Sequence, residues 1–383
     1  MTDIVLFDDD DSHLRPLNLT RPPHLLVYGF RPAIHHIRKH LGQPSSYILP
    51  ARFQKFYREA GLNVNPEESS LHGDTIFVNA SVRPEKEILE KISTIGENRA
   101  IVVFGRAVAF RTSRFSYDML KGISNLREKG IETETFEENM LVNGPWEYIS
   151  SLAKGLEGRG VVYGETARVE EPVHFDTAKG PVLIADGAKI EAFSRIEGPA
   201  LIGRGSVVHS ARINSFTYIG ENCRVGGEVE HSIISSYSNK SHFGYIGHSY
   251  VGEWVNVGAG SVTSDLKNTY GTVKVEVDGS RIDTKMVKLG SFISDYSKVA
   301  INASIYAGKK IGSGAHIYGV VERDIPPFIS YSKESPKELL LESVIETARR
   351  MKKRRNLELG EGEEELIRIA YKETTAERRR MVS

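Results

Sequence analysis

From Ile184 onward an apolar residue returns at every sixth position: Ile184, Ile190, Ile196, Ile202 and Val208, then, after a slip of one residue, Ile213, Ile219 and Val225. The pattern resumes at Ile246, Val251 and Val257 and again at Val299, Ile305, Ile311 and Ile317. A glycine often follows the apolar residue, as in Ile202-Gly203, Ile219-Gly220 and Ile311-Gly312. Neither a helix of about 3.6 residues per turn nor an alternating strand keeps that step for so long. A coil whose every turn is three short strands and three corners does. The repeat predicts a β-helix in which the apolar residue fills the prism and glycine or asparagine accepts the corner backbone. A sandwich of irregular short strands has no reason to stay in register.

The rest of the chain has room for further domains, since 383 residues exceed what one such coil needs. Fifty basic and fifty acidic residues cancel, so no net field argues for nucleic acid or a membrane surface. The single cysteine, Cys223, cannot close an internal disulfide, and no apolar run approaches the roughly 20 residues of a membrane helix. The start reads as a strand, Ile4 to Phe7, followed by the run Asp8 to Asp11, and not as a signal peptide. The default expectation is a cytoplasmic protein. Between Asn98 and Ala153 strands and helices alternate: a hairpin-like pair, a helix over Phe115 to Lys129, and a helix led by Pro145. The expected division is an α/β domain over 1–165, the coil over 166–330 and a helical tail over 331–383.

In the tail, Pro326-Pro327 stops the ladder, because neither residue can donate to it. Ser335 to Arg355 and Glu361 to Arg380 then read as two helices. The first carries an apolar stripe, Leu339, Leu340, Val344 and Ile345, that must bury against the coil or a neighbouring subunit. The basic run Met351 to Arg355 reads as a solvated charged face.

Two motifs occupy the first 84 residues. Asp8-x-Asp10-x-Ser12 mimics a phosphatase nucleophile loop, but consecutive aspartates match that spacing cheaply. Further on, Leu14, Arg15, Pro16, Leu17, Thr20 and Pro22 resemble the opening of sugar-1-phosphate nucleotidylyltransferases, whose glycine-rich loop holds a nucleoside triphosphate. Here aspartates replace the phosphate-cradling glycines and would repel the anion. His13 stands at the place of the family's catalytic arginine and Pro23 at the place of its lysine. Arg15, Arg21 and Asn79 are the remaining nucleotide-binding candidates. Asp74 precedes a strand where the resemblance implies a Mg²⁺-binding aspartate after one, and a strand-leading turn residue is the plain reading. No metal site is assigned, and Mg²⁺ enters only if this domain is active.

The stretch Gly226 to Gly271 carries side chains the repeat does not require. Its blocks GGEVEHS, YSNKSHFGYIG, GEWVNVGAG and SDLKNTY resemble the acetyltransferase half of the bifunctional UDP-N-acetylglucosamine pyrophosphorylase / glucosamine-1-phosphate N-acetyltransferase family, above all its variant archaeal and bacterial relatives. The resemblance covers about residues 1 to 330 and implies a left-handed parallel β-helix, a homotrimer and acetyl-CoA as co-substrate. Acetyl transfer to an amine needs a base near neutral pKa, and imidazole suits it. The resemblance makes His242 that base, Tyr245 and Asn256 the sugar contacts, and Arg212 and Lys267 candidate phosphate contacts; the family's lysine before the histidine falls near Glu230 to Ser232 here, so Lys240 either serves instead or is a solvated loop cation. An amide at Ala259 or Gly260 would face the oxyanion, and Ala307, Gly319 and Arg323 the acyl-CoA. Corner histidines, asparagines and glycines are also what a tight coil demands for itself. The standard members' asparagine and tyrosine after this block are Asp265 and Leu266 here, which leaves the acceptor's identity open. Nucleotidyl transfer giving a UDP- or dTDP-sugar and a non-catalytic scaffold are the competing readings.

Overall fold

A computed structural model describes residues 2–383, which form two compact units. One takes the chain up to Leu14, then Arg21–Asn143 and Gly360–Ile369. The other takes Arg15–Thr20, Gly144–Leu359 and Ala370–Ser383.

The first unit is built on a six-stranded sheet in the order Ser46–Ile48, Asp3–Phe7, Thr75–Asn79, Arg106–Thr112, Arg99–Val103, Glu132–Phe136. Asp3–Phe7 lies parallel to both its neighbours, and Thr75–Asn79 runs antiparallel to Arg106–Thr112. Both faces are covered, which is why the inner strands read as continuous apolar runs and not as alternation. Ile34 and Ile37, Phe53, and Ile88, Leu89 and Ile92 from three helices close over Leu6, Val78 and Ile101. On the other face Phe77 stacks between Phe110 and Phe115, with centroids 4.7 and 4.5 Å away. The helix expected over Phe115–Lys129 is broken at Gly122 into a 3₁₀ turn, Tyr117–Lys121, and a short helix, Ile123–Glu128.

The second unit is the coil. The eight repeat residues from Ile184 to Val225 all point into the prism and are at most 1% exposed. Strand Val161–Tyr163 already pairs with Val182–Ile184, so the first rung lies ahead of residue 166. The register slip at Ile213 has a structural cause. Strands Val207–Ile213 and Arg224–Glu230 run through a corner without a loop, and their pairing shifts between His209 and Arg212. Two faces of the prism therefore share one sheet, while the third is a separate 8-stranded sheet. Between Thr263 and Phe292 the chain leaves the coil for an excursion carrying the hairpin Lys274–Val277/Ser280–Asp283, its neck closed by a bridge between Leu266 and Lys288.

The segment Arg15–Thr20 packs within this second unit. Thr20 Oγ1 donates to Asp295 Oδ2 at 3.0 Å, and Ser294 Oγ donates to the Pro16 carbonyl at 2.8 Å. The frame that resembles a nucleotide loop is thus spent, in part, on the coil. In the tail, Lys337–Glu338 adds a short antiparallel strand before the helix Leu341–Lys353. That helix buries Val344, Ile345 and Ala348, whereas Leu340 precedes it and is 78% exposed, so the expected stripe is shifted. The final segment is two helices, Glu361–Glu373 and Thr375–Val382, and not one. Arg378 is buried there, donating to Glu338 Oε1 at 2.7 Å and lying 3.7 Å from the Tyr371 ring centroid. No helix among the described residues is long and apolar enough to cross a membrane.

Candidate active site

Rung pairing aligns Arg224, Asn239, Asn256, Lys298 and His316 along one face of the coil. Their strand neighbours Val225, Val257, Val299 and Ile317 point inward, so this ladder faces out. After Asn239–Lys240 the loop Ser241–Gly244 turns the corner to the next face, and His242 stands exposed on it. Its ring has no hydrogen bond or ion pair among the described residues. It lines a cleft of about 740 Å³ together with Ser241, Asn239, Asn256, Arg224 and Lys298 from the coil. Met351, Arg354 and Arg355, at the end of the helix Leu341–Lys353, form the opposite wall. The stacked rings of Tyr237 and Trp254, 4.4 Å apart and within 7° of parallel, complete it.

Lys240 corrects the sequence reading. It occupies an inward position, paired with Val225, and is 2% exposed. Its ammonium donates to the carbonyls of Gly226, His242 and Gly244 at 2.7, 2.9 and 3.0 Å. Burial pushes it down to about 8. With three donors committed it cannot also bind a phosphate; it staples the loop that presents His242. The Gly226-Gly227 pair is the steric counterpart, since a Cβ on Gly227 would come 2.6 Å from that ammonium and its φ is +68°.

Tyr245 lies on the adjoining face and does not line the cleft. Its hydroxyl sits 2.9 Å from Asp265 Oδ2 and 3.2 Å from Glu230 Oε2. Burial, the Asp265 charge and the Glu230 charge raise its pKa. His248 Nδ1 is 2.7 Å from the same Asp265 oxygen. Although burial opposes it, His248 and Tyr245 hold that carboxyl below its usual range. Lys288 Nζ is 3.3 Å from Glu230. Arg212 lies on this same face, two rungs earlier, its Nε donating to Asn214 Oδ1 at 3.0 Å. Lys267, in the excursion, donates to the Thr272 carbonyl at 2.9 Å. Of the expected sugar and phosphate contacts, Asn256 therefore lies on one face and Tyr245 and Arg212 on the adjoining one, with His242 on the corner between them, while Lys240 points inward and Lys267 belongs to the excursion.

Of the two expected oxyanion donors, the Gly260 amide is already given to the Phe243 carbonyl at 2.9 Å and is ruled out. The Ala259 N–H has no partner among the described residues. Ala307, Gly319 and Arg323 do not line the cleft, and the Arg323 guanidinium lies 5.9 Å from the Tyr331 ring centroid.

In the first unit the aspartate run lies just past the end of Asp3–Phe7, where open parallel sheets carry ligands. It is neutralised by the protein's own cations. Arg106 forks onto Asp9 at 2.9 and 3.0 Å and also pairs with Asp11, and buried Arg52 pairs with Asp10. Burial, with Asp10 and Asp9 adding to it, pushes Asp8 up to about 7. Asn79 is buried and fully engaged: its amide donates to Asp9 and the Ala107 carbonyl, and its oxygen accepts from Ser81. As a nucleotide contact it is overturned. Arg15 belongs to the second unit, while Arg21 sits half-buried in the first. Asp74 is paired to Arg111, which with Thr2 holds it down at about 2, and no metal-ligating cluster occurs among the described residues.

Residues 4–158 match the family described as Sugar nucleotidyl transferase. A bifunctional sugar-1-phosphate nucleotidylyltransferase/acetyltransferase of Sulfurisphaera tokodaii is 36% identical over 205 residues, covering 52% of this chain and 49% of the relative. A bifunctional protein GlmU of Methanocaldococcus jannaschii is 37% identical over 119 residues, 30% of this chain and 29% of the relative. A glucose-1-phosphate thymidylyltransferase of Streptomyces antibioticus is 28% identical over 232 residues, covering 60% and 59%. The first part of the chain is thus similar to sugar nucleotidyl transferases, and the part after it forms the coil. In sequence the chain is similar to GlmU-type proteins over these stretches. It spans less than two thirds of the length of each of these relatives.

Proposed function

We propose that this protein transfers an acetyl group from acetyl-CoA to the amine of a hexosamine-1-phosphate, in the making of UDP-N-acetylhexosamines. The observation that carries the reading is the exposed His242 ring, held on a stapled corner over a roomy cleft it shares with Asn256. A buried or self-bonded corner histidine would have no such reason to be presented. As the amine nitrogen attacks the thioester carbonyl, His242 takes the amine proton; the carbon–sulfur bond then breaks and the sulfur leaves as a thiol, taking up the proton that His242 holds. Asn256, which lines the same cleft, orients the acceptor. The co-substrate fits a cleft of about 740 Å³ with no carboxylate among its lining residues. The active assembly is a homotrimer in this reading, which light scattering of the purified chain tests.

His242→Ala should lower thiol release by roughly 10²-fold or more while the melting temperature stays put. Unchanged turnover across a panel of hexosamine-1-phosphates would remove the assignment. Nucleotidyl transfer is a second reading favoured by the match over residues 4–158. The self-neutralised aspartate run weighs against it, and pyrophosphate release with each triphosphate and Mg²⁺ decides it.

A further inference from the structure

Four cations, Arg224, Lys298, Arg354 and Arg355, line the His242 cleft, and no aspartate or glutamate does. Lys298 is accounted for: burial pushes its ammonium down to about 7, and it donates to the carbonyls of Trp254 and Tyr296 at 3.0 and 2.8 Å. The three arginines are not. None of them forms an ion pair among the described residues, whereas Arg52, Arg106, Arg111 and Arg378 each pair with a carboxylate. Single contacts to neutral oxygens hold two of them in place. Arg224 Nη1 donates to the Cys223 carbonyl at 3.2 Å and Arg355 Nη2 to Asn239 Oδ1 at 2.7 Å. Each guanidinium has five N–H donors, so most remain unused. Burial depresses the Arg355 pKa most, and the charges of Arg224 and Arg354 lower it further. The helix C-terminus beside Arg354 offers only about half a negative charge, too little to balance three cations.

We propose that Arg224, Arg354 and Arg355 form a phosphate-binding end of the His242 cleft, so that the tail helix Leu341–Lys353 belongs to the active site. Planar guanidinium forks match the oxygens of a phosphate ester or diphosphate in charge and spacing. An anion docked there relieves the repulsion between the arginines and fixes one end of a substrate whose other end reaches His242. The proposal rests on the acetyl-transfer reading and deepens it. Both substrates of that reaction carry phosphate, and the shared chemistry is a phosphate ester bound next to a general base.

Calorimetric titration of the full-length chain tests it, with coenzyme A against pantetheine and glucosamine-1-phosphate against glucosamine as probes. R224Q and the double variant R354Q/R355Q should each weaken a phosphate-bearing probe roughly 10- to 100-fold, the worth of one or two charge-assisted hydrogen bonds. The phosphate-free partner should bind as before, and R355K should recover part of the loss. Loss confined to coenzyme A assigns the anion to the thioester carrier, and loss confined to the sugar phosphate assigns it to the acceptor. Because Arg224 sits on the coil, undocking of the tail helix cannot mimic its effect. Wild-type affinity in both variants, or no phosphate-dependent binding by the unmodified chain, overturns the site. Phosphate-dependent binding without any thiol release would leave the site standing and remove the acetyl-transfer reading instead.

Discussion

At the end of strand Asp3–Phe7 each arginine is matched to a carboxylate: Arg106 to Asp9 and Asp11, Arg52 to Asp10. Beside His242 three arginines converge and none is matched. Residue type is the same in both places, and the difference lies in who supplies the counter-charge. Where the chain supplies it, the network is a structural element whose stability is its use. Where the chain withholds it, the folded state carries repulsion that the proposed anion would relieve. Stability and affinity should therefore respond in opposite ways to the same kind of substitution in the two regions.

The largest contrast is expected from Arg52→Met, which leaves Asp10 uncompensated near buried Asp8. Breaking such a pair should cost the first unit about 3 kcal/mol, read as faster hydrogen exchange at the Asp3–Phe7 amides. Unaltered exchange would mean the network contributes nothing. Next comes pH. Asp8 keeps its proton in the fold up to about 7, against an ordinary value of 3.8, so between those points the folded state holds more protons than the unfolded chain. That contribution is fully present below about 4 and is lost as pH rises through 7, on the order of 2–4 kcal/mol. Asp8→Asn should flatten the slope, and a slope that survives the substitution places its source elsewhere. Asp74, held at about 2 by Arg111, acts with the opposite sign and only below about 4.

Lys240→Met probes the cleft side through position and not charge. Loss of the staple under His242 should reduce turnover about tenfold through misplacement of the base, with the substrate KM less affected. A rise in KM with turnover unchanged would contradict the positioning role. The smallest effect is expected from Arg224→Gln on stability: within about 0.5 kcal/mol of wild type, or slightly stabilising, in thermal unfolding without ligand. A clear loss there would show that Arg224 already has its counter-charge within the fold.

What was readable in the sequence follows from range. The six-residue step is a one-dimensional signal, because each rung touches only its neighbours, and Ile184 to Val225 fall inside the prism as the spacing says. The shared placement of His242 and Asn256 on one cleft was legible because their motif lies within one turn of coil. Lys240 was misread although the signal was present: counting the register places it opposite Val225, an inward position, so a solvated lysine was excluded. The partners of the aspartate run were not legible. Arg52 and Arg106 lie 42 and 97 residues from Asp10 and Asp9, and no local pattern marks such pairing. The same holds for Arg355, whose contact with Asn239 spans 116 residues and turned an apparent charge run into a cleft wall.

The excursion between Thr263 and Phe292 interrupts the chain but not the stack, since Tyr250 and Val251 still pair with Phe292 and Ile293 as consecutive rungs. A detour of this kind adds little more than the slowly growing entropy of closing a longer loop. Its base nevertheless delivers Asp265 and Lys288 to the surroundings of Tyr245 and Glu230. The coil thus works as a socket with an exchangeable insert: grafting a different detour at these two ends would rewrite the neighbourhood of Tyr245 while every rung kept its register.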